Sequence, residues 1–577
     1  MKTNRIALIL FLSIFSALYF YSSYSHAADD TLQFGLSMHG TPRYAGNTET
    51  LSYATATAPK GGMLRQTYIG SYDTLNPYAL KGNPAQGLQY VNDRLFARVW
   101  DEPFSLYPLI AEGYTMPADR SAITITLDPR AVFHDGTPIT TADVAFTFHT
   151  LRDHGRPNMR LIYARVAKMT VHDSRRITFA LAPGFERENV MTLAMMPILS
   201  KTWWQGRDFD APVLTPPNGS GPYRISRFNL GRDITYTRTP DYWAADKLVA
   251  RGHFNFATLR FDYFRDDTVA MQSLTKGDSD IRRETDMRKW MATPVAKSLQ
   301  KVDFAHQRAE NFWTIMLNTR RPILADLKVR QAIGMVLDAD RLNATSLYGL
   351  YRRTRSIYPN TDLSGTAWQA PANDTTAALR DRHKQADILL KQAGYVIKNG
   401  HRVQQRTNAP LRFEILVGTV LDEKVALSWK QQLAKLGIAL SIRTLDDTSF
   451  RARLLRYDYD ATITYWPSSM SPGMEQLSYW SCAAASQEGR FNYSGLCDKD
   501  VDHWAAQLAQ TTTRESLRDI TRQMDDRIMQ SAAFVPLFYS AIDRYFIAQH
   551  IGWPRVTPLY GPILETWWHK TSGDNAE

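Results

Sequence analysis

The sequence predicts an α/β protein made of several compact units. Strand-like and helix-like hydrophobic patterns alternate along the whole chain, with no internal repeat and no low-complexity linker. One βαβ unit is especially clear: residues 413–417 form an apolar strand, a helix follows from about Asp422, and period-two alternation resumes at Ile438. The length of 577 residues fits about three or four domains. The composition, 44% hydrophobic and 22% charged, excludes disordered, collagen-like and coiled-coil classes.

The N-terminus has the layout of a secretory signal peptide. Lys2 and Arg5 form a basic start, residues 6–20 are an almost unbroken apolar run, and Ser25-His26-Ala27 supplies the small residues of a cleavage site. An apolar run of about 15 residues is short for a membrane span, so we expect cleavage after Ala27 and export to the periplasm. An uncleaved N-terminal anchor is the alternative. A lipid anchor is not supported, because no cysteine lies near the cleavage point.

Local patterns place the other elements in chain order. Thr140 and Asp143 form a capping-box-like helix start, and helical spacing predicts further helices over residues 329–337 and 517–528. The helix of the βαβ unit ends before Gly437, which suits a left-handed C-cap. In the first half, alternating runs predict strands near residues 64–69, 123–127, 177–181, 234–236 and 259–263.

The formal net charge of +11 does not by itself indicate a nucleic-acid partner. Acidic and basic residues are scattered and often alternate, and the chain has no block of like charges of the length of a nucleic-acid tail. A net positive charge that keeps the protein soluble is a sufficient explanation of this value.

Cys482 and Cys497 are the two cysteines of the chain. In an oxidising compartment a disulfide between them is the economical interpretation. Closing such a loop contributes on the order of 3 kcal/mol by chain-entropy arithmetic. A metal site is the alternative, but two thiols with His503 alone fall short of a zinc-ligand spacing.

The sequence has no strong catalytic motif. It contains no Gly-x-Ser-x-Gly elbow, no His-Glu-x-x-His helix and no phosphate-binding Gly-x-x-x-x-Gly-Lys loop. His134-Asp135 precedes a Gly-Thr-Pro turn, and Gly219-Ser220-Gly221 precedes a strand, so turns are favoured over a metal site or a nucleophile. Asp458 and Asp460 lie on one strand face and are the carboxylate pair left for an exported hydrolase, which stays an alternative function.

A series of short motifs, each weak alone, occurs in a fixed order along nearly all of the mature sequence. By these motifs the chain resembles the family 5 extracellular solute-binding proteins, the receptors of dipeptide and oligopeptide ABC importers. Arg43-Tyr44, Asn255-Phe256 and Glu565-Thr566-Trp567-Trp568 resemble most the YejA-type branch. The motifs are Pro59-Lys60-Gly61-Gly62, Leu75-Asn76-Pro77, the segments 108–112 and 132–144, Gly219-Ser220-Gly221-Pro222-Tyr223, Pro240-Asp241-Tyr242-Trp243, and the segment 328–333.

The resemblance implies a two-lobed α/β periplasmic binding protein of type II, cluster C-like, with an extra subdomain on lobe I. The chain would cross between the lobes near 307–311 and 535–538, which permits hinge closure around a ligand. It also implies a monomeric receptor without a cofactor, whose partners are an inner-membrane ABC permease and its ATPase subunits. The implied division is lobe I at 28–75, 198–308 and 536–577, the extra subdomain at 76–197, and lobe II at 309–535.

Receptors of this family grip the peptide backbone as an added strand and leave its side chains in hydrated pockets. The resemblance places that recognition strand at residues 461–466 and makes Tyr465 and Trp466 candidates for the cleft wall. Core packing of the lobe II sheet is the alternative role for both. Tyr72 and Asn318 complete the resemblance-based ligand-binding candidates in the central part of the site.

One departure from the family pattern concerns the ligand's amino group. Oligopeptide receptors place an aspartate shortly after the tryptophan, whereas this chain has Ser468 and Ser469 there. A buried ammonium without a counter-charge is costly. Either Glu475 reaches the site, or the amine is solvated, or the ligand is presented differently.

Arg353 and Arg355 follow a Tyr-Gly pair in a segment that often lies near the cleft in relatives. Guanidinium groups bind carboxylates in a bidentate manner, and the YejA-like branch is associated with peptides that include cell-wall fragments rich in carboxylates. We therefore predict a receptor for acidic or murein-derived peptides with Arg353 or Arg355 on a carboxylate. An exposed loop of solvated arginines is the alternative, and an oligosaccharide, a nickel complex or haem are alternative ligands.

Overall fold

The computed structural model describes residues 31–184, 186–366 and 376–571. The expected signal peptide and its cleavage point lie outside these residues, so both stay predictions. Within the described part of the chain, no helix is both long enough and apolar enough to cross a membrane.

The first large unit, which we call lobe I, is built on a seven-stranded sheet. Its central strand, Met63–Ile69, pairs in parallel with Thr258–Phe264 and Ile281–Glu284, and the outer strands are antiparallel. The helices Asp267–Lys276 and Met287–Ala292 pack beside it. In spatial order the strands are Leu299–Ala305, Ile542–Ala548, Ile281–Glu284, Met63–Ile69, Thr258–Phe264, Asp233–Arg238 and Tyr223–Asn229.

A smaller subdomain shares a continuous hydrophobic core with lobe I. The Thr140–Asp143 capping box forms as predicted, with the Asp143 carboxylate accepting the Thr140 N–H at 3.0 Å. Its four-stranded sheet has the order Ala111–Thr115, Ala122–Leu127, Arg176–Leu181, Val166–Val171, and a three-stranded sheet has the order Leu36–Ser37, Ser105–Pro108, Phe96–Arg98. The helices of this region are Leu88–Tyr90 (3₁₀), Thr141–Asp153, Pro157–Tyr163, Glu186–Ala194 and Lys201–Trp204.

The second large unit, lobe II, is built on a five-stranded sheet. The predicted βαβ unit forms one edge of this sheet: Arg412–Val417 pairs in parallel with the edge strand Ala439–Thr444, and the helix between them, Val420–Ala434, buries Val425, Trp429 and Leu433. Gly437 follows this helix at φ 74°, a left-handed conformation as predicted. In spatial order the strands are Ala439–Thr444, Arg412–Val417, Ala461–Trp466, Phe312–Leu317 and Phe534–Pro536.

Helices cover both faces of the lobe II sheet. They enclose two buried clusters of apolar side chains. The helices of lobe II are Pro322–Ala325, Leu327–Met335, Ala339–Ser346, Thr376–Gln392, Val420–Ala434, Asp447–Leu455, Glu475–Trp480, Cys482–Ala485, Lys499–Leu508 and Arg514–Gln530. The remaining elements are the two-stranded sheets Arg352–Arg353 with Phe538–Tyr539, Tyr395–Lys398 with His401–Gln404 and Ile551–Gly552 with Trp568–His569, and the 3₁₀ turn Leu564–Thr566.

The chain passes between the two large sheets twice. The first crossing joins Leu299–Ala305 of lobe I to Phe312–Leu317 of lobe II, and the second joins Phe534–Pro536 to Ile542–Ala548. Both crossings are therefore short and lie side by side, which is the arrangement that a hinge requires. The residue boundaries of the lobes and the subdomain stay a prediction.

The predicted disulfide is confirmed. Cys482 and Cys497 are bonded, with a Cα–Cα distance of 4.5 Å and a sequence separation of 15. The bridge ties the start of the short helix Cys482–Ala485 to the loop before Lys499–Leu508.

Candidate functional site: the cleft between the lobes

A cavity of about 250 Å³ lies where the two crossings meet the sheets. Both lobes contribute to its wall, so a change in the hinge angle changes its shape. Lobe I supplies Arg283, Glu284, Thr285, Met287, Ile542, Asp543 and Arg544; the crossings supply Arg308, Glu310, Asn311, Phe538, Tyr539 and Ser540; lobe II supplies Trp313, Tyr351 and Tyr465.

Asp543 is the centre of a charge network in this cleft. Its Oδ1 accepts from Arg283 Nη2 at 2.6 Å and from Arg308 Nη2 at 2.7 Å, and its Oδ2 accepts from Arg308 Nη1 at 2.5 Å. Burial raises the pKa of Asp543, but hydrogen bonds from Arg308 and the positive charges of both arginines outweigh it and leave the pKa below its usual value. The carboxylate is therefore ionised and fixes two guanidinium groups at the hinge.

The acidic partner of Arg308 on its other side is Glu310, whose Oε1 lies 3.1 Å from Arg308 Nε. Burial raises the pKa of Glu310 and lowers that of His306 to about 4. His306 is consequently neutral at neutral pH, and its Nε2 is 3.5 Å from Glu310 Oε1. Of these groups on the first crossing, Arg308 and Glu310 line the cleft, whereas the His306 side chain is buried and is not part of its wall.

Arg283 is the guanidinium best placed to meet a ligand. Its side chain keeps 48% of its surface exposed while one nitrogen is held by Asp543. Arg544, by contrast, is buried, and its Nη atoms reach Ser540 Oγ and the Leu350 carbonyl at 3.4 and 3.5 Å. A half-exposed, positioned guanidinium at the cleft wall is suited to bind a carboxylate.

Aromatic side chains form the opposite wall. Trp313 and Tyr465 are direct neighbours on adjacent antiparallel strands, and Tyr351 and Phe538 complete the group. Tyr465 is 59% exposed. Flat apolar rings opposite charged groups suit a ligand that has both polar and apolar parts.

Comparison with known proteins gives the chain a family. A model of the bacterial extracellular solute-binding proteins, family 5 Middle, matches residues 105–488. The chain belongs to this family. YejA of Escherichia coli (strain K12), an uncharacterized protein, is 31% identical over 97% of this chain and 97% of its own length. The peptidoglycan-binding protein YepA of Agrobacterium fabrum (strain C58 / ATCC 33970) is 33% identical over 92% of this chain and 94% of its own length.

A solved structure supports the same fold. The oligopeptide-binding protein AppA from Bacillus subtilis, in complex with a nonapeptide, superposes with a TM-score of 0.61 over 89% of this chain and 100% of its own, at 18% identity. The predicted recognition of the family and the predicted fold class, a two-lobed α/β periplasmic binding protein of type II with an extra subdomain, are therefore confirmed.

In this solute-binding protein the two neighbouring aromatic candidates face opposite ways. Tyr465 lines the cleft, whereas Trp466 is only 3% exposed and packs in the lobe II core. The ring centroids of Trp466 and Trp480 are 5.3 Å apart, and the Trp466 indole N–H donates to the Phe491 carbonyl at 3.2 Å. Side chains alternate along a strand, so one of the pair must point away from the ligand. The structure therefore places Trp466 in the core of the lobe II sheet, which is the alternative role given for it above.

Tyr72 and Asn318 are also buried, and neither is part of the cleft wall. The Tyr72 hydroxyl donates to the Asp233 carbonyl at 2.8 Å, inside lobe I. The Asn318 amide donates to the carbonyls of Tyr457 and Tyr459 and closes a turn at the far end of the lobe II strands. Both side chains are occupied by internal hydrogen bonds, so the structure does not bring them to a ligand.

Neither Arg353 nor Arg355 is among the residues that line the cleft. Arg353 is on a short strand paired with Phe538, and its guanidinium lies 5.6 Å from that ring's centroid. Burial, followed by repulsion from Arg382, lowers its pKa to about 10. Arg355 is exposed.

Ser468, Ser469 and Glu475 follow the strand Ala461–Trp466, at another contact between the lobes. The Ser468 Oγ is buried with no hydrogen-bond partner, and the Ser469 Oγ accepts from the Ser471 N–H at 3.0 Å. Both carboxylate oxygens of Glu475 accept from the Gly473 N–H at 3.0 Å, so this acid is held by its own loop.

The residues that sequence reasoning missed are Arg283, Arg308, Glu310, Asp543 and Trp313. Arg283 and Asp543 are 260 positions apart, and Arg308 and Asp543 are 235 apart. No local motif links them. The available signal is positional and incomplete: Arg308, Glu310, Trp313 and Asp543 lie in or next to a crossing, whereas Arg283 lies in the strand Ile281–Glu284, which flanks neither crossing.

The described residues contain no group of three or more His, Cys, Asp or Glu side chains that could hold a metal ion. The carboxylate pair Asp458 and Asp460 is engaged by arginines, with Arg321 reaching both acids at 3.3 Å and Arg453 reaching Asp458 at 3.1 Å.

Proposed function

We propose that this protein is the periplasmic receptor of an ABC importer, that it captures acidic peptides in the interlobe cleft, and that it delivers them unaltered to an inner-membrane permease. Murein-derived peptides are the class that we favour. It acts as a monomer, needs no cofactor, and reaches the periplasm through a cleaved signal peptide.

The observation that carries this proposal is the half-exposed Arg283 at the cleft wall, held by Asp543 and opposite Tyr465 and Trp313. A guanidinium fixed at one nitrogen has others free to receive a carboxylate, and a charge-assisted bond of this kind contributes about 1.5–3 kcal/mol. The relatives support the ligand class, because YepA is a peptidoglycan-binding protein and AppA holds a nonapeptide.

The proposal revises the role of the sequence-based candidates. Tyr465 is retained as a cleft residue, and Arg283 takes the role first given to Arg353 or Arg355. Ser468, Ser469 and Glu475 are retained only as candidates near the lobe junction, where they would approach one end of a longer ligand.

Calorimetry with a matched pair of peptides tests the proposal. The two peptides are identical except at one position, which is Glu in one peptide and Gln in the other. We expect the wild type to prefer the acidic peptide by about tenfold or more, which corresponds to about 1.4 kcal/mol, and Arg283→Gln to remove the preference while still binding the neutral peptide. Equal affinities of the wild type for the two peptides would contradict an acidic specificity.

Two controls define the site more closely. Arg353→Ala and Arg355→Ala should leave both affinities unchanged if Arg283 is the contact, and a loss in either would restore the original assignment. Mass spectrometry of the peptide after incubation should return its starting mass, whereas a cut peptide would favour the hydrolase.

An oligosaccharide, a nickel complex or haem remain the alternative ligands. Native mass spectrometry of protein purified from cells distinguishes them, because each class gives the bound cargo a different mass. We expect the mass of a short peptide with carboxylate side chains.

A further inference from the structure

The lobes meet at a second place, between the N-terminal segment of the subdomain and the far side of lobe II. The Gly40 N–H donates to the Thr512 carbonyl at 2.9 Å, and the Met474 N–H donates to Glu188 Oε1 at 3.3 Å. Each bond joins the two lobes directly. This junction, formed by residues 37–40 and 187–188 on one side and 470–475 and 512–514 on the other, is separate from the residues that line the hinge cavity.

Basic groups converge at this junction. His39 is surrounded by Arg187 and Arg120 from its own side and by Arg514 from lobe II. Arg120 Nη2 donates to the Ser37 carbonyl at 3.0 Å and Arg187 Nη1 to the Met38 carbonyl at 2.7 Å, so both guanidinium groups are fixed. Arg514 is paired with Asp362, and Glu188 lies close enough to attract both Arg120 and Arg187, so the guanidinium groups of the junction already meet two carboxylates.

Donor atoms at the junction have no partner. His39 Nδ1 and Arg120 Nη1 are inaccessible to solvent and lack a hydrogen bond. Asn189, next to Glu188 on the same helix, is 1% exposed, and both of its amide atoms are also unpaired. Buried polar atoms of this kind are costly and are normally satisfied by protein, water or a ligand.

The nearby carboxylates are already engaged. Asp362 accepts from Arg514, Glu188 accepts from the Met474 N–H, and Glu475 accepts from the Gly473 N–H. Burial, with the charges of Arg187, Arg514 and Arg120, lowers the pKa of His39 to about 3, so its ring is neutral at neutral pH and can donate from Nδ1 in one tautomer. Arg120 Nη1, and His39 Nδ1 in that tautomer, are therefore donors that lack an acceptor.

We propose that the junction is an oxyanion site, formed by Arg120, Arg187 and His39 on one lobe and completed by Arg514 on the other, and that its occupant favours the closed state. The occupant is a carboxylate or phosphate group, carried either by the cargo or by a free ion. An anion held by guanidinium groups from both lobes would satisfy the unpaired donors and add a contact that exists only on closure.

Thermal unfolding with inorganic phosphate against chloride, at equal ionic strength, tests for a free ion. We expect phosphate to raise the melting temperature of the wild type and of Arg152→Gln, an exposed control paired with its neighbour Asp153. Arg120→Gln and Arg514→Gln, one from each lobe, should lose the shift. If Arg120→Gln fails to fold, Arg514→Gln alone decides.

Calorimetry with the acidic peptide, with and without phosphate, tests for a cargo group. Competition by phosphate, together with at least tenfold weaker peptide binding by Arg514→Gln, would show that the cargo supplies the anion. The proposal is overturned if phosphate changes neither melting temperature nor peptide affinity and both variants behave as the wild type. Weaker peptide binding by Arg283→Gln alone, with no shift of the melting temperature by phosphate, would leave the hinge cavity as the acidic-peptide site and reject the junction.

Discussion

Replacing Asp543 by Asn tests the charge network at the hinge. The carboxylate is 4% exposed and receives three hydrogen bonds of 2.5–2.7 Å from Arg283 and Arg308. Removing one partner of a buried ion pair typically costs about 3–5 kcal/mol, because the other charge stays buried and unpaired. Glu310 still neutralises part of Arg308, so we expect a loss near the lower end, about 3 kcal/mol of unfolding free energy.

The matched control is Asp458→Asn. Asp458 also pairs with two arginines, Arg321 and Arg453, but it is 58% exposed. Exposed ion pairs contribute about 0–1 kcal/mol, so the control should lose less than about 1 kcal/mol. Urea unfolding followed by tryptophan fluorescence measures both variants on the same scale.

The pH dependence of Asp543→Asn has a definite sign. The folded-state pKa of Asp543 is below its unfolded value, so its stabilisation is present above about pH 4 and is lost as the pH falls. The difference between wild type and variant should therefore be largest near pH 7 and shrink toward pH 3. A loss below 1 kcal/mol at pH 7, or a difference that stays constant with pH, would refute the account of the hinge.

Three further changes have expected outcomes. Replacing both Cys482 and Cys497 by Ser should lower the unfolding free energy by about 3 kcal/mol in urea titrations, since the open loop gains chain entropy; an unchanged midpoint would contradict this. Burial and the positive charge of Lys60 lower the pKa of His253 to about 4, although a hydrogen bond with the Arg251 carbonyl acts in the opposite direction. The stability that the neutral ring contributes is therefore lost as the pH falls below the unfolded-state pKa of about 6.5. His253→Gln should reduce by about 2 kcal/mol the stability that the protein loses between pH 7.5 and 5. Trp466→Ala should cost about 3–5 kcal/mol of unfolding free energy, because this side chain is buried. Tyr465→Ala should weaken peptide binding in calorimetry and have little effect on unfolding. The reverse pair of results would exchange the roles of the two residues.

The fold was accessible from sequence where a local pattern repeats a structural period. The strand Arg412–Val417, the helix Val420–Ala434 and the turn at Gly437 follow from apolar spacings and from a glycine in a left-handed position. The disulfide was accessible because the two cysteines are close in sequence and no other thiol competes within the chain.

The cleft was less accessible, for two physical reasons. A period of two shows that Tyr465 and Trp466 face opposite sides of a strand, but both are aromatic, so the pattern does not say which one is buried. The pairing of Arg283 and Arg308 with Asp543 depends on three segments that meet only after the chain has crossed between the lobes twice. Such long-range partners carry no local signal.

Small-angle X-ray scattering with and without the acidic peptide tests directly whether the lobes close around a ligand. We expect a smaller radius of gyration when the peptide is bound, because the lobes rotate about the two crossings and enclose it. Superimposable scattering curves under conditions where calorimetry shows saturation would contradict a receptor that closes around its ligand.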